Sequence, residues 1–115
     1  METVERRLPG DPAVFVRTCV RERRILWTYH VNMRLKGRFV ARQAILGSVD
    51  SYELVESYPD DKYLPSYLFL ARPPGDAIRV VSAADVEGGK ATVVTAYRPS
   101  AGEWMDDLKT RRISR

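Results

Sequence analysis

The sequence of 115 residues has one histidine and one cysteine, and it has no glycine-rich phosphate loop. A single histidine and a single cysteine, without paired acidic residues at ligand spacing, argue against a zinc site. The adjacent Gly88 and Gly89 are typical of a hairpin turn. There is also no nucleophile elbow of the kind that Ser-His-Asp hydrolases use. We therefore expect no metal and no cofactor.

Long apolar runs are also missing. The longest, such as residues 68–71, fall far short of a membrane span. The first residues are charged and lack the apolar core of a secretory signal. Cys19 has no second cysteine with which to form an internal disulfide, which favours a reducing compartment. We expect a cytoplasmic protein that has no membrane partner.

The net charge of +4 is unevenly distributed. Residues 1–47 hold ten basic and four acidic side chains, residues 48–75 hold two and five, and residues 76–115 hold seven and six. A basic N-terminal part is compatible with a phosphate-bearing partner. A solvated basic helix surface is the simpler interpretation of charge alone, because +4 is a weak bias for a nucleic-acid binder.

The local patterns predict helices first and strands afterwards. We expect a mobile arm over residues 1–10 and a single domain over 11–115. Helices are predicted over 12–24, 30–36 and about 39–47, with an edge strand or extended connector over 25–29. Strands are predicted over 52–58, 66–72, 77–84 and 90–97, and their short turns favour antiparallel neighbours. A final helix is predicted from the N-cap Ser100 to about Arg112.

The stretch from Tyr29 to Arg38 has the most organised polar pattern. His30, Arg34 and Arg38 follow each other at four-residue steps. On a helix such residues lie close to one face, so they would form one mostly cationic line.

Several short motifs follow one another along the chain. They are the His30, Arg34 and Arg38 spacing, Tyr58-Pro59-Asp60-Asp61, an apolar strand ending in Ser82-Ala83-Ala84-Asp85, Thr95-Ala96-Tyr97-Arg98-Pro99, Trp104 and Lys109-x-Arg111-Arg112. In this combination, over roughly residues 12–112, the chain resembles a small bacterial domain family of unknown function related to the RelE/ParE/BrnT toxin superfamily. One departure is that Gly37 precedes Arg38, where members usually carry a Gly-Ile pair after the second arginine.

The resemblance implies a RelE-like α+β fold, with N-terminal helices packed on an antiparallel sheet of about four strands and a C-terminal helix. RelE-type relatives are metal-independent ribonucleases that act on messenger RNA. The resemblance therefore implies a toxin-like RNA-binding protein or metal-independent endoribonuclease, with RNA or the ribosome as its partner.

Metal-independent RNA cleavage needs a base, an acid and cations that stabilise the developing charge. His30 has the right ordinary pKa for acid or base work, arginines can hold phosphate, and a tyrosine can stack on a base or donate a proton. We predict His30, Arg34, Arg38 and Tyr97 as catalytic residues. We predict Arg79 and Arg98 as nucleic-acid contacts; Arg79 should point to the sheet face opposite Ile78 and Val80.

Each candidate residue also has a structural interpretation. His30 could be a packing or capping residue, and Arg34 and Arg38 could pair with Asp60, Asp61 or the C-terminal acids. Tyr97 could be a core or rim packing residue, as aromatic residues at strand ends usually are. The alternative function is a non-catalytic protein-interaction module that binds an antitoxin-like protein or a second copy of itself.

Overall fold

The computed structural model describes residues 8–38, 40–74 and 77–98. In chain order the described elements are α1 (Pro12–Arg21), β1 (Ile25–Trp27), α2 (Tyr29–Gly37), α3 (Arg42–Gly47), a 3-10 turn (Val49–Ser51), β2 (Glu53–Tyr58), β3 (Ser66–Ala71), β4 (Ile78–Asp85) and β5 (Lys90–Tyr97). The predicted C-terminal helix, and most of the predicted N-terminal arm, lie outside the described residues.

Polar side chains start the first two helices. Asp11 caps α1, where its Oδ1 accepts a hydrogen bond from the Val14 amide at 3.2 Å. Thr28 caps α2, where its Oγ1 accepts from the Val31 amide at 3.1 Å. Helix α1 ends at Arg21, three residues before the predicted end, because Arg23 takes a positive φ of 59° that a helix does not allow.

The sheet has five strands in the order β1-β5-β4-β3-β2. Strands β2 to β5 are antiparallel neighbours, as their short turns predict. The expected all-antiparallel sheet of about four strands is wrong in one respect, because β1 adds a fifth strand parallel to β5. This pairing joins Ile25 to Ala91, positions so distant in sequence that no local turn signal could reveal it.

The helices pack on one side of the sheet, which we call the helix face. Phe69, Val80 and Ala96 lie in one row across three strands on this face. They share the main core with Val16 of α1 and Val31 of α2. Near this core Cys19 is fully buried like a small hydrophobic residue, and burial raises the pKa of its thiol.

We call the opposite side of the sheet the far face. The row of residues adjacent to Phe69, Val80 and Ala96 points to this side. Leu70, Arg79 and Tyr97 are paired in register there, so Arg79 points away from Ile78 and Val80 as predicted. Leu70 and Arg79 are fully buried, which confirms that the centre of the sheet is covered on both faces.

Strand β5 contains a bulge at Val94. Ser82 pairs with Val93 and Val81 pairs with Thr95, so Val94 has no opposite residue on β4. Strand β1 ends with Trp27 opposite Val93. From Val94 onward, the edge of β5 that faces away from β4 therefore has no neighbouring strand among the described residues.

Candidate functional site

Two arginines of α2 reach the open edge of β5. Arg34 Nη1 donates to the Val94 carbonyl at 3.5 Å. Arg38 Nη1 donates to Thr95 Oγ1 at 2.5 Å and lies 3.4 Å from the Ala96 carbonyl. Because β1 stops short of this segment, the guanidinium groups occupy the place that a longer β1 would take.

Tyr97 and Arg98 join these arginines where β5 ends. The Arg38 guanidinium carbon lies 5.7 Å from the centroid of the Tyr97 ring, within cation–π distance. Arg98 Nη1 donates to the Arg38 carbonyl at 3.0 Å. We call Arg34, Arg38, Tyr97 and Arg98 the edge cluster. The structure thus brings together four of the six residues that the sequence predicts for the site.

His30 lies at the exposed beginning of the same helix line. Its ring makes an edge contact with the Tyr29 ring at a centroid distance of 6.1 Å. It stands one helical turn before Arg34 and about 12 Å along the helix axis from Arg38, at 1.5 Å per residue. His30 is therefore beside the edge cluster rather than within it.

Arg79 is on the same sheet row as Tyr97 but differs from the edge cluster in exposure. Its side chain is fully buried on the far face, between Leu70 and Tyr97 in register. A guanidinium at this depth does not meet solvent in the described conformation. Its role as a nucleic-acid contact stays a prediction.

The arginines of α2 are not neutralised by acidic neighbours within the described part of the chain. The ion pairs described there are Arg21–Asp50, Arg24–Glu22 and Arg72–Glu53. In the described part of the chain, Arg34 and Arg38 bind the backbone and side chains of β5. Their alternative pairing with Asp60, Asp61 or the C-terminal acids stays a prediction, because the C-terminal acids lie outside the described residues.

A family model described as a domain of unknown function (DUF4258) matches residues 27–98 of the chain, a range that includes this edge. The match covers more than half of the chain. The chain belongs to the DUF4258 family. No curated protein and no solved structure matches it. Membership of a family of unknown function is confirmed, and the wider relation to the RelE/ParE/BrnT superfamily stays a prediction.

The edge cluster and His30 all lie within the DUF4258 match, whereas Trp104 and the basic motif at 109–112 lie beyond it. Within 8–38, 40–74 and 77–98, no three histidine, cysteine, aspartate or glutamate side chains are arranged to hold a metal ion. In the same ranges no helix has the length and apolar character needed to cross a membrane.

Sequence reasoning missed one further member of this surface of the DUF4258 domain. Arg42 stacks on Trp27 at 4.7 Å from the ring centroid, and its Nε and Nη2 both donate to Asn32 Oδ1. The signal was present, because Arg42 extends the four-residue spacing of Arg34 and Arg38 by one step. The predicted break in the helix after Gly37 concealed it.

Proposed function

We propose that this DUF4258 domain is a toxin-like RNA-binding protein of the RelE superfamily, and that the edge cluster binds the phosphate backbone. One observation carries the proposal: Arg34 and Arg38 lie on an exposed edge without a carboxylate partner among the described residues. Among the described residues each donates hydrogen bonds through Nη1, which leaves Nε and Nη2 able to bind phosphate oxygens. The reducing compartment inferred from Cys19 makes the cytoplasm part of this proposal.

The catalytic form of the proposal is a metal-independent endoribonuclease. His30 and Arg34 are one helical turn apart, so they would reach the same phosphate. Arg38, Arg98 and Tyr97 would hold the neighbouring part of the strand. In this arrangement His30 takes the proton of the 2′-hydroxyl, whose oxygen bonds to phosphorus as the bond from phosphorus to the 5′-oxygen breaks. The leaving 5′-oxygen takes a proton from the Tyr97 hydroxyl, and the arginines stabilise the charge on the phosphate.

Binding is tested by titrating labelled RNA with the purified protein at several salt concentrations. We expect affinity that falls as salt rises, since counterions released from phosphate drive such binding. Cleavage is tested with the same RNA and with translating ribosomes, in the presence of a chelator. Absence of both salt-dependent binding and cleavage would contradict the proposal.

The catalytic form is tested in cells by a growth assay. Wild-type protein is expressed beside His30→Ala and Arg34→Ala, with Arg21→Ala as the matched control because Arg21 is an exposed arginine on α1 that pairs with Asp50. Growth arrest by wild type and Arg21→Ala that is lost in soluble, folded His30→Ala would support catalysis. Normal growth with all four proteins would argue against it.

A second candidate is the non-catalytic interaction module, and exposed apolar side chains on α2 favour it. Tyr29 and Met33 are one helical turn apart and are 74% and 52% exposed. An antitoxin-like protein or a second copy of the chain would bury them. Light scattering at rising protein concentration tests the interaction module by measuring self-association. The double variant Tyr29→Ala with Met33→Ser should abolish self-association and leave RNA binding unchanged.

A further inference from the structure

A cavity of about 290 Å³ opens on the far face, beneath the loop that joins β2 to β3. Its wall is formed in part by Tyr63, Leu64, Ser66, Ala83, Thr92 and Val94. Ala83 and Thr92 are opposite each other on β4 and β5, and their small side chains leave the space free. The lining is mainly apolar, which suits a flat ring better than a charged group.

The rim of the cavity has an exposed aromatic ring. Tyr63 is 81% exposed, and the Lys62 ammonium lies 5.2 Å from the centroid of its ring. The loop itself is held by Asp61, whose Oδ2 accepts a hydrogen bond from the Ser66 hydroxyl at 2.5 Å. An exposed aromatic ring beside a cavity and next to a cation can stack on a nucleobase.

The cavity adjoins the edge cluster through β5. The Val94 side chain lines the cavity, while the Val94 carbonyl accepts the hydrogen bond from Arg34. The next residue, Thr95, accepts from Arg38. The bulge at Val94 turns both Thr92 and Thr95 toward the far face, because Thr92 pairs with Ala83 and Thr95 pairs with Val81. The same short segment of β5 therefore forms part of the cavity wall and carries the groups that Arg34 and Arg38 contact.

We propose that this cavity binds one unstacked base of single-stranded RNA, which stacks on Tyr63 while the edge cluster holds the adjoining phosphate. The inference rests on the proposed function, since it names the form of RNA that the edge cluster takes. Single strands are favoured because their bases are free to leave the stack, whereas duplex RNA presents only its backbone and groove edges.

The test measures binding of a short labelled single-stranded RNA, of the same strand with abasic sites, and of duplex RNA. Wild-type protein should bind the intact strand more tightly than the abasic strand. Tyr63→Ala should weaken binding of the intact strand by about five- to a hundredfold, and it should bind the intact and abasic strands alike. Tyr63→Phe keeps the aromatic face and should retain most of the affinity.

Two controls separate stacking from general damage. Tyr63→Leu keeps apolar area without an aromatic face, so it should behave like Tyr63→Ala. Val14→Ala changes an exposed apolar residue on α1, which should leave all three affinities unchanged.

The outcomes also distinguish this proposal from the function on which it rests. Salt-dependent binding of intact and abasic strands with equal affinity by the wild type would overturn the base site and leave the phosphate surface standing. Tyr63→Leu that binds as tightly as Tyr63→Phe would also overturn it. Failure to bind any of the three RNAs would overturn both.

Discussion

At the scale of single residues, the arginines of the edge cluster combine a structural and a ligand-binding capacity. Arg34 and Arg38 donate to carbonyl groups of β5 at an edge that has no neighbouring strand among the described residues. A guanidinium has five donor hydrogens in a planar fork, so one side chain can cap the edge and still present donors outward. A lysine could not do both with the same geometry.

The chemical type of the site residues was readable from the sequence, but their exposure was not. The spacing of Arg34 and Arg38 predicted one helix face, and both residues do reach β5 from that face. The sequence predicts Arg79 as a nucleic-acid contact on the second face of the sheet, yet its side chain is fully buried. Burial depends on what covers each face of the sheet, and a strand pattern does not contain that information.

Tyr52 gives a prediction at this scale. Its hydroxyl donates to the Ile45 carbonyl at 2.8 Å in the core, and burial raises the pKa of Tyr52 far above its ordinary value. Tyr52→Phe should lower the free energy of unfolding at neutral pH by about 1 kcal/mol, the contribution of one hydrogen bond. Urea titration of both proteins measures this difference.

The difference in free energy of unfolding between wild type and Tyr52→Phe should decrease at high pH. The folded state keeps Tyr52 neutral, whereas an unfolded tyrosine ionises near pH 10. The stability from neutral Tyr52 is therefore complete below about pH 10 and is lost as the pH rises toward the raised pKa of the folded state. The gap between wild type and Tyr52→Phe should shrink above about pH 10. Tyr63→Phe, at an exposed position, is the control; a gap constant with pH would contradict the account.

At the scale of elements, the antiparallel part of the sheet was the easiest to predict. Strands β3, β4 and β5 lie within about one or two residues of their predicted bounds, because apolar runs and turn residues are local signals. Helix α3 begins at Arg42 rather than near residue 39. Its N-cap residue, Ala41, has no side chain that can cap the helix, so the sequence has no capping signal at this position. The short β1 was predicted only as an edge strand or connector.

Helix α2 depends on its cap, and this gives a prediction for the whole element. Thr28→Ala removes the hydrogen bond to the Val31 amide and should cost about 1 kcal/mol of stability. The first turn of α2, which contains His30, should exchange its amide hydrogens faster. Thr28→Ser retains a hydroxyl and should restore both properties.

The matched control for this cap lies on α1. Asp11→Ala removes the equivalent hydrogen bond to Val14 and should cost a similar amount, but it should leave the exchange rates of α2 unchanged. Equal exchange in α2 for Thr28→Ala and Thr28→Ser would show that the cap does not hold this turn.

At the scale of the whole molecule, the local distribution of charge matters more for phosphate binding than the net charge does. A net charge of +4 is small, yet the described ion pairs leave Arg34 and Arg38 unneutralised at one edge. A phosphate-binding surface can therefore exist on a protein whose overall charge gives little indication of it.

Salt dependence provides the matching prediction. If Arg38 binds one phosphate, Arg38→Ala should reduce the slope of log affinity against log salt concentration by about 1, and it should weaken binding to different RNA sequences equally. Arg21→Ala removes the same formal charge from α1 and should leave the slope unchanged. An equal change in slope for both variants would mean that only the total charge matters.

The parallel pairing of β1 with β5 affects how the protein is made. On a ribosome the N-terminal part of a chain emerges first, so β1 and α2 appear well before β5. Until Val94 and Ala96 follow, Arg34 and Arg38 have no carbonyl groups to bind, and a long loop must close before they meet. A nascent chain that ends before β5 therefore cannot present the finished edge, and this surface is assembled only late in translation.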